Sequence, residues 1–232
     1  MTVVFLALVL LNVDLHKMEA ALRTANYLYV APAFVLTLAG YLVRTVRWQV
    51  ILKPTKRISF GSAFAVLMIG FTANNLLPAR IGEVVRAYAL GRKEAMSKSL
   101  SLATIVVERV FDGITIMGML AVLSLVYPLP GWGQALARGG ALVFGVATVG
   151  ILMLLFQEKL ALRILEIVLR PFPARLGKAV QRIARFFLEG LHALRSGRSL
   201  AVIILLSITV WSLVASSYVL LLLGFQPHLH KV

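Results

Sequence analysis

Three ionisable residues interrupt one apolar run: Glu108, Arg109 and Asp112, within "VVERVFDG", residues 106–113. An ion at the centre of a membrane helix costs roughly 2.5–3.5 kcal/mol, and each Leu, Ile, Val or Phe returns roughly 0.3–0.6. Together the three charges cost on the order of 9 kcal/mol, while the fourteen Leu, Ile, Val and Phe residues of Leu100–Val126 return on the order of 6. Such a helix inserts poorly alone, so its charges must pair or face a hydrated cavity. Ser97, Ser101, Thr104, Glu108, Asp112 and Thr115 recur at intervals of three and four residues, which makes one helical stripe. Arg109 lies beside it and reaches Asp112 at i+3, and on this reading it is the cation whose loss leaves Asp112 unpaired. The stripe reads either as an ion-pair network locking helices together or as a polar pathway for a headgroup.

A second polar cluster lies in "FTANNLLPARIGEVVRAYAL", residues 71–90, where Asn74, Asn75, Arg80, Glu83 and Arg86 surround Pro78 and Gly82. Arg80, Glu83 and Arg86 are three residues apart, and Ile81, Val84, Val85 and Tyr88 form the opposite, apolar face. Arg80 and Arg86 are placed to meet Glu108 and Asp112 or a lipid phosphate, whose oxygens match the planar fork of a guanidinium. The two asparagines add neutral donors for phosphate or hydroxyl groups. These five residues are the candidate headgroup site. Glu108, Arg109 and Asp112 form the intramembrane charge network.

The elements that must hold these groups are apolar. Hydrophobic residues make up 60% of the 232 residues, charged ones 14%, and the mean hydropathy is +0.90. Soluble domains carry about 25% charged residues. Apolar segments recur at Val3–Val13, Leu28–Leu52, Phe60–Leu77, Leu100–Val126, Gly139–Phe156 and Leu200–Leu223. In lipid only helices and closed barrels satisfy their backbone groups, and these runs are too long and too continuously apolar for barrel strands. The expected fold is all-α: one polytopic domain over residues 1–232 with about five to six spans.

Basic residues orient it. Nine lie in Gln157–Ser199 and only Arg138 in Tyr127–Arg138, so the first region reads as cytoplasmic and the second as external. Both flanks of Phe60–Leu77 are basic: Arg44, Arg47, Lys53, Lys56 and Arg57 before it, and Arg80, Arg86, Arg92, Lys93 and Lys98 after it. A re-entrant hairpin keeps both flanks inside, entering as Phe60–Leu77, breaking near Pro78 and returning as Ile81–Leu90. Pro78 suits that break because it lacks an N–H and disfavours helix at the residue before it. The N-terminus is then cytoplasmic and the C-terminus external. An ordinary span ending at an interfacial helix is the alternative.

Gln157–Ser199 divides at "RPFP" into two amphipathic helices. In the second, Leu176, Val180, Ile183, Phe187, Leu191 and Leu194 face one way, and Arg175, Lys178, Arg182 and Arg185 form a basic stripe. This pattern suits a helix lying on an anionic inner leaflet, with docking of a partner enzyme as the second reading. The net charge of +15 and pI near 11.0 do not indicate nucleic acid, because the basic residues punctuate apolar runs and no nucleic-acid motif is present. There is no cysteine, and His16, His192, His228 and His230 are scattered. Neither a metal site, a nucleophile constellation nor a phosphate-cradling loop is visible. Glu108 with Asp112 as an acid/base pair is the weakest of the functional readings.

At "NNLLPARIGEVVRAYALGRKEAMSKSLSLATIVVERVFDG", residues 74–113, the chain resembles the lysylphosphatidylglycerol synthase transmembrane-domain family, the flippase-like domain of the multiple peptide resistance factors and of stand-alone proteins. The specific part is N-x-L-L-P-x-R-x-G-E-x-x-R followed by a basic turn and E-R-x-x-D. "YLVRTVRWQVIL", residues 41–52, is similar to the family's Arg-Trp segment. The matching positions are Asn75, Pro78, Arg80, Gly82, Glu83, Arg86, Glu108, Arg109 and Asp112. The resemblance implies a protein of the cytoplasmic (inner) membrane that moves an aminoacylated phospholipid, a glycolipid or a related amphiphile between leaflets, without a cofactor. A scaffold for a lipid-modifying enzyme is the alternative. The family's further spans and second Pro/Gly-rich motif do not follow here, so the sequence reads as a C-terminally truncated piece, and no soluble synthase domain accompanies it.

Overall fold

A computed structural model describes residues 15–77, 81–128, 130–156, 158–169, 177, 181 and 196–225. The segment Val3–Val13, the break residues Pro78 and Arg80, the "RPFP" junction, the second amphipathic helix with its basic stripe, and His192, His228 and His230 lie outside the described residues.

Those residues form eight α-helices in chain order: α1 Leu15–Thr24, α2 Val30–Leu52, α3 Phe60–Leu76, α4 Gly82–Lys93, α5 Lys98–Val126, α6 Gly131–Phe156, α7 Glu158–Leu169 and α8 Gly197–Phe225. A single 3-10 turn, Tyr27–Tyr29, leads into α2. No strand occurs among the described residues. Their boundaries follow local chemistry. The α2 helix stops at Leu52, just ahead of Lys53–Pro54, where proline cannot continue the backbone bonding. Ser59 caps α3, in extended conformation, by accepting the Ser62 N–H at 3.2 Å. The α5 helix ends at Val126, ahead of Tyr127–Pro128.

Among the described residues, three helical stretches are long and apolar enough to cross a membrane: Tyr27–Leu52, Lys98–Val126 and Gly197–Phe225. The α3 helix is apolar but only 17 residues long, about 25 Å at 1.5 Å per residue. The α2 and α8 helices run antiparallel and make the most extensive pairing. Asn26 N–H donates to Gly224 O at one end (2.9 Å), and Arg47 reaches Ser207 near the other. The α3 and α4 helices pack against each other, α4 packs on α5, and α5 also touches α2 and α8. Trp48, Leu52, Val66, Leu90 and Ile105 make the core where α2, α3, α4 and α5 converge. Ile51, Val107, Phe111 and Ile203 make a second cluster that joins α8 to them.

The α3–α4 pair closes on itself. Lys56, before α3, donates to the Glu94 carbonyl at the end of α4 and lies 3.5 Å from its carboxylate, which also accepts from Ser62. The basic flank before α3 and the end of α4 therefore share one end of the molecule. The two helices also approach closely at Gly82. A Cβ there would collide with the Gly70 carbonyl and the Asn74 amide, so only glycine fits. Asn74 Oδ1 accepts the Gly82 N–H at 2.7 Å and satisfies one of the unpaired donors at the start of α4.

Candidate functional site

The stripe on α5 faces inward as its spacing requires. Ser101, Thr104, Glu108 and Asp112 are buried, with Glu108 fully so and Asp112 at the middle of the helix. What meets them comes mainly from α2. Arg47, fully buried, places Nη1 2.7 Å from Asp112 Oδ1 and Nη2 3.1 Å from Glu108 Oε1, and Nη1 also donates to Ser207 Oγ of α8 at 2.9 Å. Arg86 of α4 lies 2.8 Å from Glu108 Oε2. Its guanidinium carbon sits 3.7 Å from the centroid of the Trp48 ring, a cation–π contact away from water. Trp48 is fixed in turn by its Nε1–H bond to Thr104 Oγ1 (3.2 Å). Trp211 of α8 donates to Asp112 Oδ1 at 3.0 Å. Four helices thus meet on two carboxylates.

Arg109 contacts Asp112 at 3.3 Å, as i+3 spacing predicts, and Glu83 of α4 at 3.8 Å. Its side chain is 41% exposed, and Asp112 retains Arg47 and Trp211. This corrects the expectation that Arg109 is the cation Asp112 depends on: a residue one step off the buried stripe points partly outward, whereas Arg47 approaches from inside the bundle. Arg44 and Arg47 are corrected as well. Their places near the end of α2 gave them the look of orienting charges in a flank, but both are buried and turned toward α5. The signal that marks them is their i, i+3 spacing inside a continuous apolar run, with Arg47 adjacent to Trp48, together with the unpaired acids of α5.

Of the five candidate headgroup residues, Arg86 is buried on Glu108, Glu83 faces Arg109, Asn74 caps α4, and Asn75 is exposed; Arg80 lies outside the described residues. On α4, Arg86 packs inward beside Ala87 and Leu90 and Glu83 is half-buried, while Ile81, Val84 and Tyr88 are exposed, so apolar side chains face outward where a water-soluble amphipathic helix would place polar ones.

Among the described residues, four guanidiniums (Arg44, Arg47, Arg86, Arg109) face three carboxylates (Glu83, Glu108, Asp112), so one cation is in excess. Arg44 is the least well paired. Its nearest carboxylate oxygen, Asp112 Oδ2, is 3.6 Å away, and its guanidinium carbon lies 5.2 Å from the Trp211 ring and 6.0 Å from the Phe71 ring. Arg47 Nε and Arg86 Nε and Nη2 are buried with no hydrogen-bond partner among the described residues. Arg44 closes one end of an open cleft of about 630 Å³ between α2, α3 and α8, lined also by Thr37, Gly40, Tyr41, Phe71, Trp211, Ser217 and Tyr218. No group of three or more His, Cys, Asp or Glu side chains able to hold a metal ion occurs among the described residues.

The family model described as the lysylphosphatidylglycerol synthase TM region matches residues 1–232. A protein named glycosyltransferase AglD, from Haloferax volcanii, is 33% identical over 124 residues, 53% of this chain and 20% of that protein. A UPF0104 membrane protein of Methanocaldococcus jannaschii is 32% identical over 111 residues, 47% of this chain and 33% of the relative. Another, from Methanothermobacter thermautotrophicus, is 34% identical over 128 residues, 53% of this chain and 37% of the relative. The matched stretches thus span between a fifth and somewhat over a third of the relatives' own lengths. No solved structure matches.

Proposed function

The chain belongs to the lysylphosphatidylglycerol synthase TM region family, a membrane family of lipid-related processes, and from that premise we propose that it binds a polar lipid and moves its headgroup between leaflets. The observation that carries this reading is the buried charge centre. Among the described residues it sets four guanidiniums against three carboxylates, it keeps buried donors of Arg47 and Arg86 without partners, and another of its arginines, Arg44, lines an open cleft. A headgroup crossing roughly 30 Å of hydrocarbon needs such groups at mid-depth. In this reading the α3–α4 pair is a re-entrant hairpin whose basic ends both face the cytoplasm. The exposed Ile81, Val84 and Tyr88 then meet acyl chains, and the basic region 157–199 rests on the anionic inner leaflet of the cell membrane. The candidate polar pathway runs past Asn74, Glu83 and Arg86 to Glu108, Arg109 and Asp112. The protein itself catalyses no covalent step.

The test is reconstitution into liposomes carrying a fluorescent phospholipid, with leaflet-specific quenching. Quenching beyond the outer-leaflet fraction, dependent on the protein and on the headgroup, is the expected result. Quenching no greater than in protein-free liposomes overturns the reading. The second reading, a membrane scaffold for a lipid-modifying enzyme, is favoured by the relative named a glycosyltransferase, of which the matched stretch is only a fifth. It gains if the protein moves no lipid but co-purifies with lipid-modifying activity.

A further inference from the structure

We infer that the cleft between α2, α3 and α8 is a binding site for a lipid whose headgroup has one phosphate-type negative charge and free hydroxyls, and that it rejects headgroups with a net positive charge. The inference rests on the lipid-binding reading above and narrows it to a place and a chemical class.

Charge decides the class. The centre behind the cleft has one cation in excess, and the loosely held one, Arg44, is the group that closes the cleft. Among the described residues no carboxylate lines the cleft, so a headgroup ammonium would meet Arg44 with only Asp112, 3.6 Å behind it, to offset the repulsion. Two of the cleft's four aromatic side chains, Phe71 and Trp211, already flank Arg44, and a quaternary ammonium held by the other two, Tyr41 and Tyr218, would share the cleft with that arginine's charge. A phosphodiester has the sign and the oxygen geometry for a guanidinium. An aminoacyl ester of a basic residue would reverse that sign.

Hydroxyls decide the rest. Thr37 Oγ1 and Ser217 Oγ each donate to their own helix, to Ala33 O at 2.9 Å and Val214 O at 2.8 Å. Their oxygens remain able to accept a hydrogen bond from a ligand hydroxyl. From Arg44 to Thr37 the cleft follows two turns of α2, about 10 Å at 1.5 Å per residue, which is room for a headgroup and the start of its chains. Gly40 forms part of the wall, and a Cβ added there meets nothing within 4 Å. The first carbon of a side chain at position 40 would therefore stand in open space at the cleft wall.

Gly40 gives the test. The full chain, purified in detergent, is titrated with phosphatidylglycerol, phosphatidylinositol, phosphatidylcholine and lysyl-phosphatidylglycerol, with bound lipid read by native mass spectrometry. Phosphatidylglycerol or phosphatidylinositol should bind about tenfold or more tightly than the other two, and whichever is preferred identifies glycerol or inositol as the hydroxylated group. Gly40→Leu should abolish that preference, as should Arg44→Ala. Gly145→Leu, placed on α6 where an added Cβ also meets nothing, should bind as the parent does. Lysyl-phosphatidylglycerol held as tightly as phosphatidylglycerol overturns the inference, and so does a Gly40→Leu variant that binds like the parent. Liposome transport measured in parallel separates the two levels. Cleft-dependent binding without transport removes the transport reading and keeps the site. Binding and transport both left intact by Gly40→Leu remove the site and keep the reading.

Discussion

Arg86 and Arg109 are both arginines next to the same pair of carboxylates, and the structure assigns them opposite weights. In Arg86→Ala, Glu108 Oε2 loses the cation at 2.8 Å in a place with no exposure to solvent. Arg47 alone remains, through the other oxygen at 3.1 Å. Removing one partner of a buried ion pair costs roughly 3–5 kcal/mol, and the lost contact with Trp48 adds about 0.5–2. In Arg109→Ala, Asp112 keeps Arg47 at 2.7 Å and the Trp211 N–H at 3.0 Å. The arginine removed is 41% exposed, so the cost is that of a partly screened pair, about 0–1 kcal/mol. Equilibrium unfolding in mixed micelles, read by tryptophan fluorescence, should therefore separate the two variants by at least about 2 kcal/mol. Arg86→Met with Glu108→Gln should recover most of the loss, because neither member of the pair then stays buried as an unpaired charge. Arg86→Ala as mild as Arg109→Ala would show that Glu108 is hydrated and that Arg86 does not neutralise it.

Cysteines placed singly at Lys56 and Arg92, in a chain that has no other, should react with an impermeant maleimide from the same face of the membrane, since the flank before α3 and the end of α4 touch; labelling from opposite faces would break the hairpin reading. Gly82→Ala should destabilise the α3–α4 pair by roughly 1–3 kcal/mol, measured by the same unfolding assay, because the added methyl meets the Gly70 carbonyl and the Asn74 amide. A Gly82→Ala variant as stable as the parent would mean that the two helices are not in close contact there.

Much of the architecture is legible in the chain because lipid leaves few options. The long apolar runs between proline-marked ends became α2, α5 and α8, and the α5 stripe predicted the buried face through to Asp112. The pairing of that face was less legible. An isolated carboxylate states that it needs a cation but not which one, and Arg109 was nearest in sequence. The true partner, Arg47, is 61 residues from Glu108 and carries a charge that also serves as an orienting signal near a helix end. Trp211 and Ser207 gave no signal at all. A tryptophan and a serine in an apolar span match both lipid contact and interior packing, and only the antiparallel register of α2 and α8 brings them to Asp112 and Arg47. The cleft was hidden for the same reason, since its walls come from three helices far apart in sequence.

The distribution of the charge centre along the chain bears on how the protein is made. Arg44, Arg47 and Arg86 all precede Glu108 and Asp112. When α5 leaves the ribosome, the cations that make its insertion favourable have already been synthesised, and the α3–α4 pair that presents Arg86 comes immediately before it. The acids therefore need not wait in hydrocarbon for a later partner. The α8 helix emerges only after α6 and α7 and contributes Ser207 and Trp211, which add hydrogen bonds to charges already neutralised. A ribosome stalled before α8 should thus hold an α5 that is already integrated. One stalled on a chain lacking both Arg47 and Arg86 should hold an α5 that is still within reach of the translocon's aqueous channel.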